Sequence, residues 1–192
     1  MKFRFYFFAF LLIFGRASDF YSTSLWYFQP DGYLGETNPL SVYFGIGWYG
    51  LIVANVLLNG FILFAFYYYT FSYRPKKTIS IANNLMDFVS ELYFIQKGRF
   101  YQVFYRTPND KKILLAHFGY VMIRVVISGS ILATTHNLCQ FYNVAIYNSF
   151  RELVGRPLFV IYALMILSLI VFLYRLWRKE YRWAKLNTNF EQ

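Results

Sequence analysis

Three apolar runs in this chain are long enough to cross a lipid bilayer as helices, and no other feature constrains the fold as strongly. They cover residues 42–69, 113–133 and 157–176. A helix needs about 20 mainly apolar residues to cross the hydrocarbon layer. Every backbone polar group inside a membrane must be bonded within the protein, which leaves only helices and closed barrels. The sequence therefore predicts an all-α integral membrane protein with three transmembrane helices, folded as a single membrane domain over 1–192.

A fourth apolar run, residues 3–14, makes the segment 1–18 similar to both a membrane anchor and a secretory signal. Lys2 and Arg4 precede the run and small residues follow it, as in a signal peptide. Twelve residues would cover only about 18 Å as a helix. We expect a retained anchor that is tilted, partly interfacial or extended through 20–28. Cleavage of this segment would instead indicate a polytopic protein of the secretory pathway.

The basic residues are distributed unevenly between the two sides of these runs, which gives the chain a direction. If the runs alternate across the membrane, the second side holds Arg16, Arg151 and Arg156, and Arg124 lies inside a run. The first side then holds the other 15 of the 19 Lys and Arg residues. Lys and Arg near membrane segments are retained on the cytoplasmic or matrix side. The two termini and the long loop over 70–112 are therefore predicted to lie on the cytoplasmic or matrix side of the membrane. The remaining loops are predicted to lie on the opposite side.

The composition favours a mitochondrial setting. The chain has 23 Phe and 19 Tyr, more than interfacial aromatic belts account for. Both residue types have AT-rich codons, so we expect an AT-rich coding genome, such as that of an organelle or a protist. Our leading expectation is the mitochondrial inner membrane, with a basic side that faces the matrix. The net charge of +10 follows from this topology. Nucleic-acid binding would need a basic face on a folded domain, so no nucleic acid is expected as a partner.

One amphipathic helix is predicted outside the spans, over 79–97. Its apolar positions recur every three or four residues, as one helix face requires: Ile81, Leu85, Phe88, Leu92 and Ile95. Ser80 suits its N-cap and Gly98 its end. We expect this helix on the membrane surface or against a partner subunit. The aromatic-rich stretch 99–106 is predicted to form a short strand, followed by a turn over 107–110.

Cations and aromatic residues mark two places where the chain leaves the bilayer on its basic side. One follows the run 42–69 and the other begins the C-terminal tail. Trp residues and cations at such positions anchor helix ends and attract anionic lipid. We predict contact with an anionic lipid such as cardiolipin at these residues: Arg74, Lys76, Lys77, Trp177, Arg178, Lys179, Arg182 and Trp183.

Arg124 lies near the middle of the run 113–133. An Arg there costs about 2.5 to 3.5 kcal/mol on insertion scales and should face protein or water. The apolar runs contain no Asp or Glu. Its partner should therefore be a carboxylate of another subunit, a lipid phosphate or amide and carbonyl oxygens of this chain. Asn55 and Asn59, one helical turn apart, are the best internal candidates.

A polar stripe around Arg124 is predicted on one face of the same helix. Its members are spaced by seven, four and seven residues: His117, Arg124, Ser128 and Thr135. We interpret the stripe as a helix interface that joins subunits, and the small residues Gly129 and Ser130 would allow close approach there. The alternative is that it lines a proton or ion path in an energy-coupling complex.

No motif indicates catalysis, a cofactor or a metal. His117 and His136 are 19 residues apart, which is about 28 Å along a helix and too far to ligate one iron. His136 and Cys139 supply only half of a structural zinc site. No phosphate-binding loop or nucleophile elbow occurs. We therefore expect a non-catalytic accessory subunit of a respiratory-chain complex or ATP synthase, with other membrane subunits as partners.

Overall fold

The structure, a computed structural model, describes residues 2–28, 45–75 and 84–188. Its α-helices in chain order are α1 (Lys2–Tyr27), α2 (Trp48–Tyr67), α3 (Leu85–Phe94), α4 (Lys111–Phe141), α5 (Ala145–Val154) and α6 (Pro157–Thr188). A π-helical turn, Tyr68–Ser72, extends α2, and a 3-10 helix, Phe100–Phe104, follows α3. These three ranges contain no strand. The predicted all-α class is confirmed.

Three of these helices are long and apolar enough to cross a membrane: Trp48–Ser72, Lys111–Phe141 and Pro157–Leu186. Each overlaps one predicted span, but the boundaries differ. The first helix begins at Trp48 rather than at 42, and the other two continue past the predicted ends at 133 and 176. Hydropathy marks where the bilayer ends, whereas a helix continues for as long as its residues are good helix formers.

Helix α1 is a single helix that extends well beyond the predicted anchor at 1–18. It lies along α4 in the same direction. Near its start Arg4 approaches the ring of Tyr120, and near its end the Trp26 indole donates to the Asn137 carbonyl oxygen at 3.2 Å. One face of α1 is therefore covered by the chain itself.

Helix α4 is the centre of the bundle. In α4, 61% of the most apolar stretch is buried, against 22% in α2 and 6% in α6. Small residues allow the close contacts: Gly119 lies directly against the backbone of Ala65 in α2, and Gly129 lies against Met165 in α6. Ser130 faces Gly15 of α1, so Gly129 and Ser130 allow close approach between helices of this chain, whereas the prediction placed that approach between subunits.

The helices α2 and α6 run opposite to α1 and α4, so the basic ends of all four meet. Ala65, late in α2, packs on Gly119, early in α4. Glu180, late in α6, contacts His117, also early in α4. The cations of the described ranges that were predicted to share a side therefore lie at one end of the bundle, which we call the basic end.

The amphipathic helix is shorter than predicted. Residues 76–83, which include the predicted cap Ser80, lie outside the described residues. The cap in the structure is Asn84, whose side-chain oxygen accepts from the Asp87 N–H at 2.8 Å. The helix ends at Phe94, before the predicted end at 97, because Ile95 adopts a left-handed backbone conformation with φ of 60°.

Helix α3 packs on the chain itself at the basic end. Phe88, Val89 and Tyr93 are buried, and the Phe88 ring lies 5.5 Å from that of Tyr181 in α6. The prediction of a strand over 99–106 is wrong. That segment forms the 3-10 helix, because the Arg99 carbonyl oxygen accepts from the Gln102 N–H at 3.0 Å and the described residues contain no strand for it to pair with.

Helix α5 was not predicted. It lies between α4 and α6 at the end opposite the basic end and buries none of its residues. Ile146 and Leu153 are 85% and 86% exposed. Its sequence is amphipathic, so a membrane interface or another protein would suit its apolar face.

Candidate functional site

A buried polar cluster lies at the basic end of the bundle, where α3, α4, α6 and the residue after the π-helical turn meet. We define it by five residues, all of which are buried: Tyr73, Tyr93, His117, Trp177 and Glu180. His117 Nε2 lies 3.0 Å from Glu180 Oε2, and His117 Nδ1 lies 2.6 Å from the Tyr93 hydroxyl. The cluster thus joins an acid from the C-terminal tail to a histidine of the central helix.

The hydrogen bonds of the buried polar cluster have a defined direction. The Trp177 indole can only donate, and it donates to the Tyr93 hydroxyl oxygen at 2.9 Å. The Tyr93 O–H is then free to donate to His117 Nδ1. His117 Nε2–H donates to Glu180, because an ionised carboxylate can only accept. Four side chains therefore form a polarised chain that ends at one carboxylate.

Burial raises the pKa of the Tyr93 hydroxyl, and the nearby Glu180 carboxylate raises it further, against a smaller lowering by the Trp177 N–H. Burial also raises the pKa of Tyr73, which donates to Glu180 Oε2 at 3.3 Å. Both phenols therefore remain protonated and act as donors in the cluster.

Glu180 also faces a cavity of about 260 Å³ at the basic end. Its Oε2 atom accepts from His117 and Tyr73, while its Oε1 atom is buried with no hydrogen-bond partner among the described residues. Three cations line the same cavity: Arg4, Arg74 and Lys179. All three side chains are exposed. The cavity therefore combines positive charge with one unpaired acceptor.

Three cations converge on the ring of Tyr120 beside this cavity. The Arg124 guanidinium lies 3.7 Å from the ring centroid, and Arg4 and the Lys179 ammonium lie at 5.9 and 5.8 Å. The Lys179 ammonium also donates to the Tyr69 hydroxyl at 2.8 Å. Aromatic faces attract cations, but they do not neutralise them, so the positive charge at this end remains.

Arg124 lies in an aromatic box, formed by Phe8 of α1, Phe66 of α2 and Tyr120 of its own helix. Its guanidinium lies 4.3 Å from the Phe8 ring centroid and 5.6 Å from that of Phe66. Nη1 donates to the Tyr120 carbonyl oxygen, and Nη2 is buried with no partner among the described residues. Arg124 is only 6% exposed, so the chain's own rings enclose it.

The prediction that Asn55 and Asn59 bind Arg124 is wrong. The Asn55 side-chain oxygen accepts from Arg16 instead, and Asn59 donates to the backbone oxygen of Asn55 at 2.7 Å. Arg16 also pairs with Asp19 at 2.6 Å. Asn55 lies early in α2, near the end of the bundle opposite the basic end, and is therefore closer to Arg16 than to the aromatic box.

The predicted stripe is not one continuous surface. His117 belongs to the buried polar cluster and Arg124 to the aromatic box. Ser128 is half-buried, and Thr135 is exposed and donates to the Ile131 oxygen of its own helix at 2.8 Å. The structure therefore separates these four residues into different surroundings along α4.

The residues predicted to contact lipid also lie in different surroundings. Arg74, Arg178, Lys179, Arg182 and Trp183 are exposed at the basic end, and Lys76 and Lys77 lie outside the described residues. The prediction of an interfacial Trp177 is wrong, because its ring is 8% exposed and packs inside the buried polar cluster. The hydrophobic face of α6 thus continues past the end of the apolar run.

Sequence reasoning missed Glu180, the acidic member of the cluster. A signal was present, since the buried residues of the tail, Leu176, Trp177, Glu180 and Ala184, recur every three or four positions as one helix face does. Glu180 is the one acidic residue among the cations of this tail. The tail therefore resembled a charged, solvated segment, and the burial of Glu180 was not predicted.

No protein-family model matches the chain. No curated protein and no solved structure matches it either. Its function must therefore be argued from the side chains. The described basic end combines three cations around one cavity, an unpaired acceptor at Glu180 Oε1 and a hydrogen bond between His117 and Glu180.

Proposed function

We propose that this chain is a non-catalytic accessory subunit of a large complex in the mitochondrial inner membrane, with its basic end in the matrix. The observation that supports this most directly is the apolar surface that the chain leaves uncovered on α6. Phe159, Ile166 and Ile170 are 64%, 60% and 58% exposed along that helix. A neighbouring membrane subunit can pack against such a surface, and lipid covers what remains.

The opposite side of α6 is fixed firmly to the chain. Met165 packs on Gly129, and Leu176, Trp177 and Glu180 bury the basic end of the helix. Helix α6 therefore presents its outward face as part of a rigid unit. Van der Waals packing drives helix association in membranes, and a rigid partner loses less conformational entropy when it docks.

The buried polar groups support this function by fixing the register of the helices. Arg124 connects α1, α2 and α4 through the aromatic box, and Arg16 connects α1 to Asn55 of α2. A partner's carboxylate was one of the three predicted partners of Arg124, but its enclosure and its bond to the Tyr120 carbonyl oxygen make the internal alternative the better proposal. Docking is then left to the outward apolar faces.

Purification of the tagged full chain from its native membrane in mild detergent tests the proposal. We expect native gels and mass spectrometry to find it with inner-membrane subunits. The double variant I166A/I170A should lower the yield of the complex while the isolated chain keeps its thermal stability. Leu57→Ala, on the exposed face of α2, is the matched truncation on another surface. A chain that purifies alone, or with subunits of secretory membranes, contradicts the proposal.

A second candidate, a proton-path subunit of an energy-coupling complex, is favoured by one observation. The His117–Glu180 pair reaches the cavity at the basic end, so a proton could enter there. Replacement of His117 by Phe together with Ser128 by Ala should then abolish proton flux in reconstituted complex that still assembles. Unchanged flux would exclude this candidate.

A further inference from the structure

We propose that the cavity at the basic end binds the headgroup of a glycerol-bearing anionic phospholipid, phosphatidylglycerol or cardiolipin. The phosphate would lie among Arg4, Arg74 and Lys179, and a glycerol hydroxyl would donate to Glu180 Oε1. This deepens the lipid contact in the proposed function and rests on it for the location of the chain in a membrane.

Like charges converge on the cavity at the basic end. Arg4, Arg74 and Lys179 come from α1, from the segment after the π-helical turn and from α6, yet they line one cavity. Two of them lie 5.9 and 5.8 Å from the same Tyr120 ring centroid, where Arg124 adds a further charge. Like charges that line one cavity repel each other. A bound anion would relieve their repulsion.

Glu180 presents an unpaired oxygen to the same cavity. This carboxylate is 2% exposed and lines the cavity, and its Oε1 atom lacks a hydrogen-bond partner among the described residues. Buried polar atoms are normally hydrogen-bonded. A ligand that brings a donor beside its phosphate satisfies both the cations and this oxygen. Glycerol headgroups have such a hydroxyl, whereas phosphatidylmethanol carries the same phosphodiester charge without a headgroup alcohol.

The apolar surroundings of the cavity favour a lipid over a soluble phosphate. Phe66, from the span in α2, forms part of the cavity wall. Next to Arg4 on α1, Phe3 and Phe7 are 83% and 47% exposed. Acyl chains that leave the cavity can therefore run along an apolar helix surface, which a free phosphate would not use.

The test is a lipid titration of the purified full chain in detergent micelles, where no charged membrane surface contributes. Native mass spectrometry measures bound lipid. Quenching of Trp fluorescence by brominated acyl chains measures proximity to Trp183, which lines the cavity, when the unmodified chain is compared with Trp183→Phe, because the chain has four Trp residues. We expect phosphatidylglycerol and cardiolipin to bind, and phosphatidylcholine to bind far more weakly because it carries no net negative charge.

Matched charge variants locate the site. The pair R4Q/K179Q should weaken phosphatidylglycerol binding about thirtyfold, at about fivefold per cation. The pair R99Q/K112Q removes the same charge from exposed positions of the same end that do not line the cavity, and it should leave binding unchanged. Equal weakening by the two pairs would show diffuse attraction and overturn the site.

The lipid series separates the two parts of the proposal. Phosphatidylmethanol should bind more weakly than phosphatidylglycerol, and E180Q should reduce that difference. Equal binding of the two lipids to the unmodified chain overturns the role of Glu180 without any variant having to fold. Displacement of phosphatidylglycerol by inorganic phosphate at the same concentration overturns the lipid assignment.

The outcomes also separate this site from the proposed function. If the chain purifies with partner subunits but shows no lipid preference, the site fails and the accessory role stands. If it binds phosphatidylglycerol selectively but purifies alone, the site stands and the accessory role fails.

Discussion

The contact between Gly119 of α4 and the backbone of Ala65 in α2 allows a sharp test of the packing. A Cβ atom placed on Gly119 would overlap the Ala65 carbonyl group and the Phe66 nitrogen. These are backbone atoms, so no side-chain rotation can relieve the overlap and the two helices must move apart. Overpacking of this kind costs about 1 to 3 kcal/mol.

Gly60 of α2 provides the matched control. It is also a helical glycine, but a Cβ atom there meets nothing within 4 Å. Replacement of a helical Gly by Ala stabilises the helix by about 1 kcal/mol through intrinsic propensity. Gly119→Ala and Gly60→Ala gain this term alike, so the difference between the two variants isolates the overlap. We expect Gly119→Ala to be less stable than Gly60→Ala by roughly 1 to 3 kcal/mol.

The assay is equilibrium unfolding of the purified chain in mixed micelles with increasing denaturing detergent, followed by helical circular dichroism. Thermal unfolding gives an independent ranking of the variants. If Gly119→Ala proves as stable as Gly60→Ala, then α2 and α4 do not approach as described, and the aromatic box around Arg124, which depends on the same approach, is wrong as well.

Three further predictions concern the buried polar groups. Trp177→Phe removes the donor to the Tyr93 hydroxyl and should lower the free energy of unfolding by about 1 kcal/mol, whereas an unchanged unfolding curve would place Trp177 at the lipid interface. The raised pKa of Tyr93 means that above about pH 10 the unfolded chain loses a proton that the folded chain keeps. Stability should therefore fall as the pH rises above that value, and Tyr93→Phe should make the fall smaller in a pH series of melting temperatures. Arg16→Met leaves Asp19 and Asn55 without their shared partner and should cost about 1 to 3 kcal/mol, and a neutral effect on melting would show that water satisfies both groups.

The spans could be predicted from the sequence because hydropathy depends on local composition. The runs 113–133 and 157–176 each fall within a helix that is long and apolar enough to cross a membrane, and the run 42–69 lies within a third such helix from Trp48 onward. Their ends could not be predicted as well, since backbone bonding continues where hydropathy falls. The division of basic residues also agrees with the structure, which places Arg4, Arg74 and Lys179 around one cavity.

The partners of the polar residues could not be predicted, because they depend on which helix faces meet. Asn55 was expected beside Arg124, since both lie within spans, but the antiparallel arrangement of α2 and α4 places it beside Arg16. Glu180 was overlooked because a carboxylate among cations is typical of a solvated tail. Only the continuation of α6 past 176, together with its packing on α3 and α4, buries it next to His117.

The residues of the aromatic box and those of the buried polar cluster are completed at different stages of synthesis. Arg124 needs Phe8 and Phe66, which are synthesised before it, so its surroundings are complete once α4 has inserted. His117 needs Trp177 and Glu180, which emerge only with the last helix. The side chain of Arg124 can therefore reach its final surroundings early in synthesis. The imidazole of His117, nearer the start of the same helix, gains its partners only after α6 has been made.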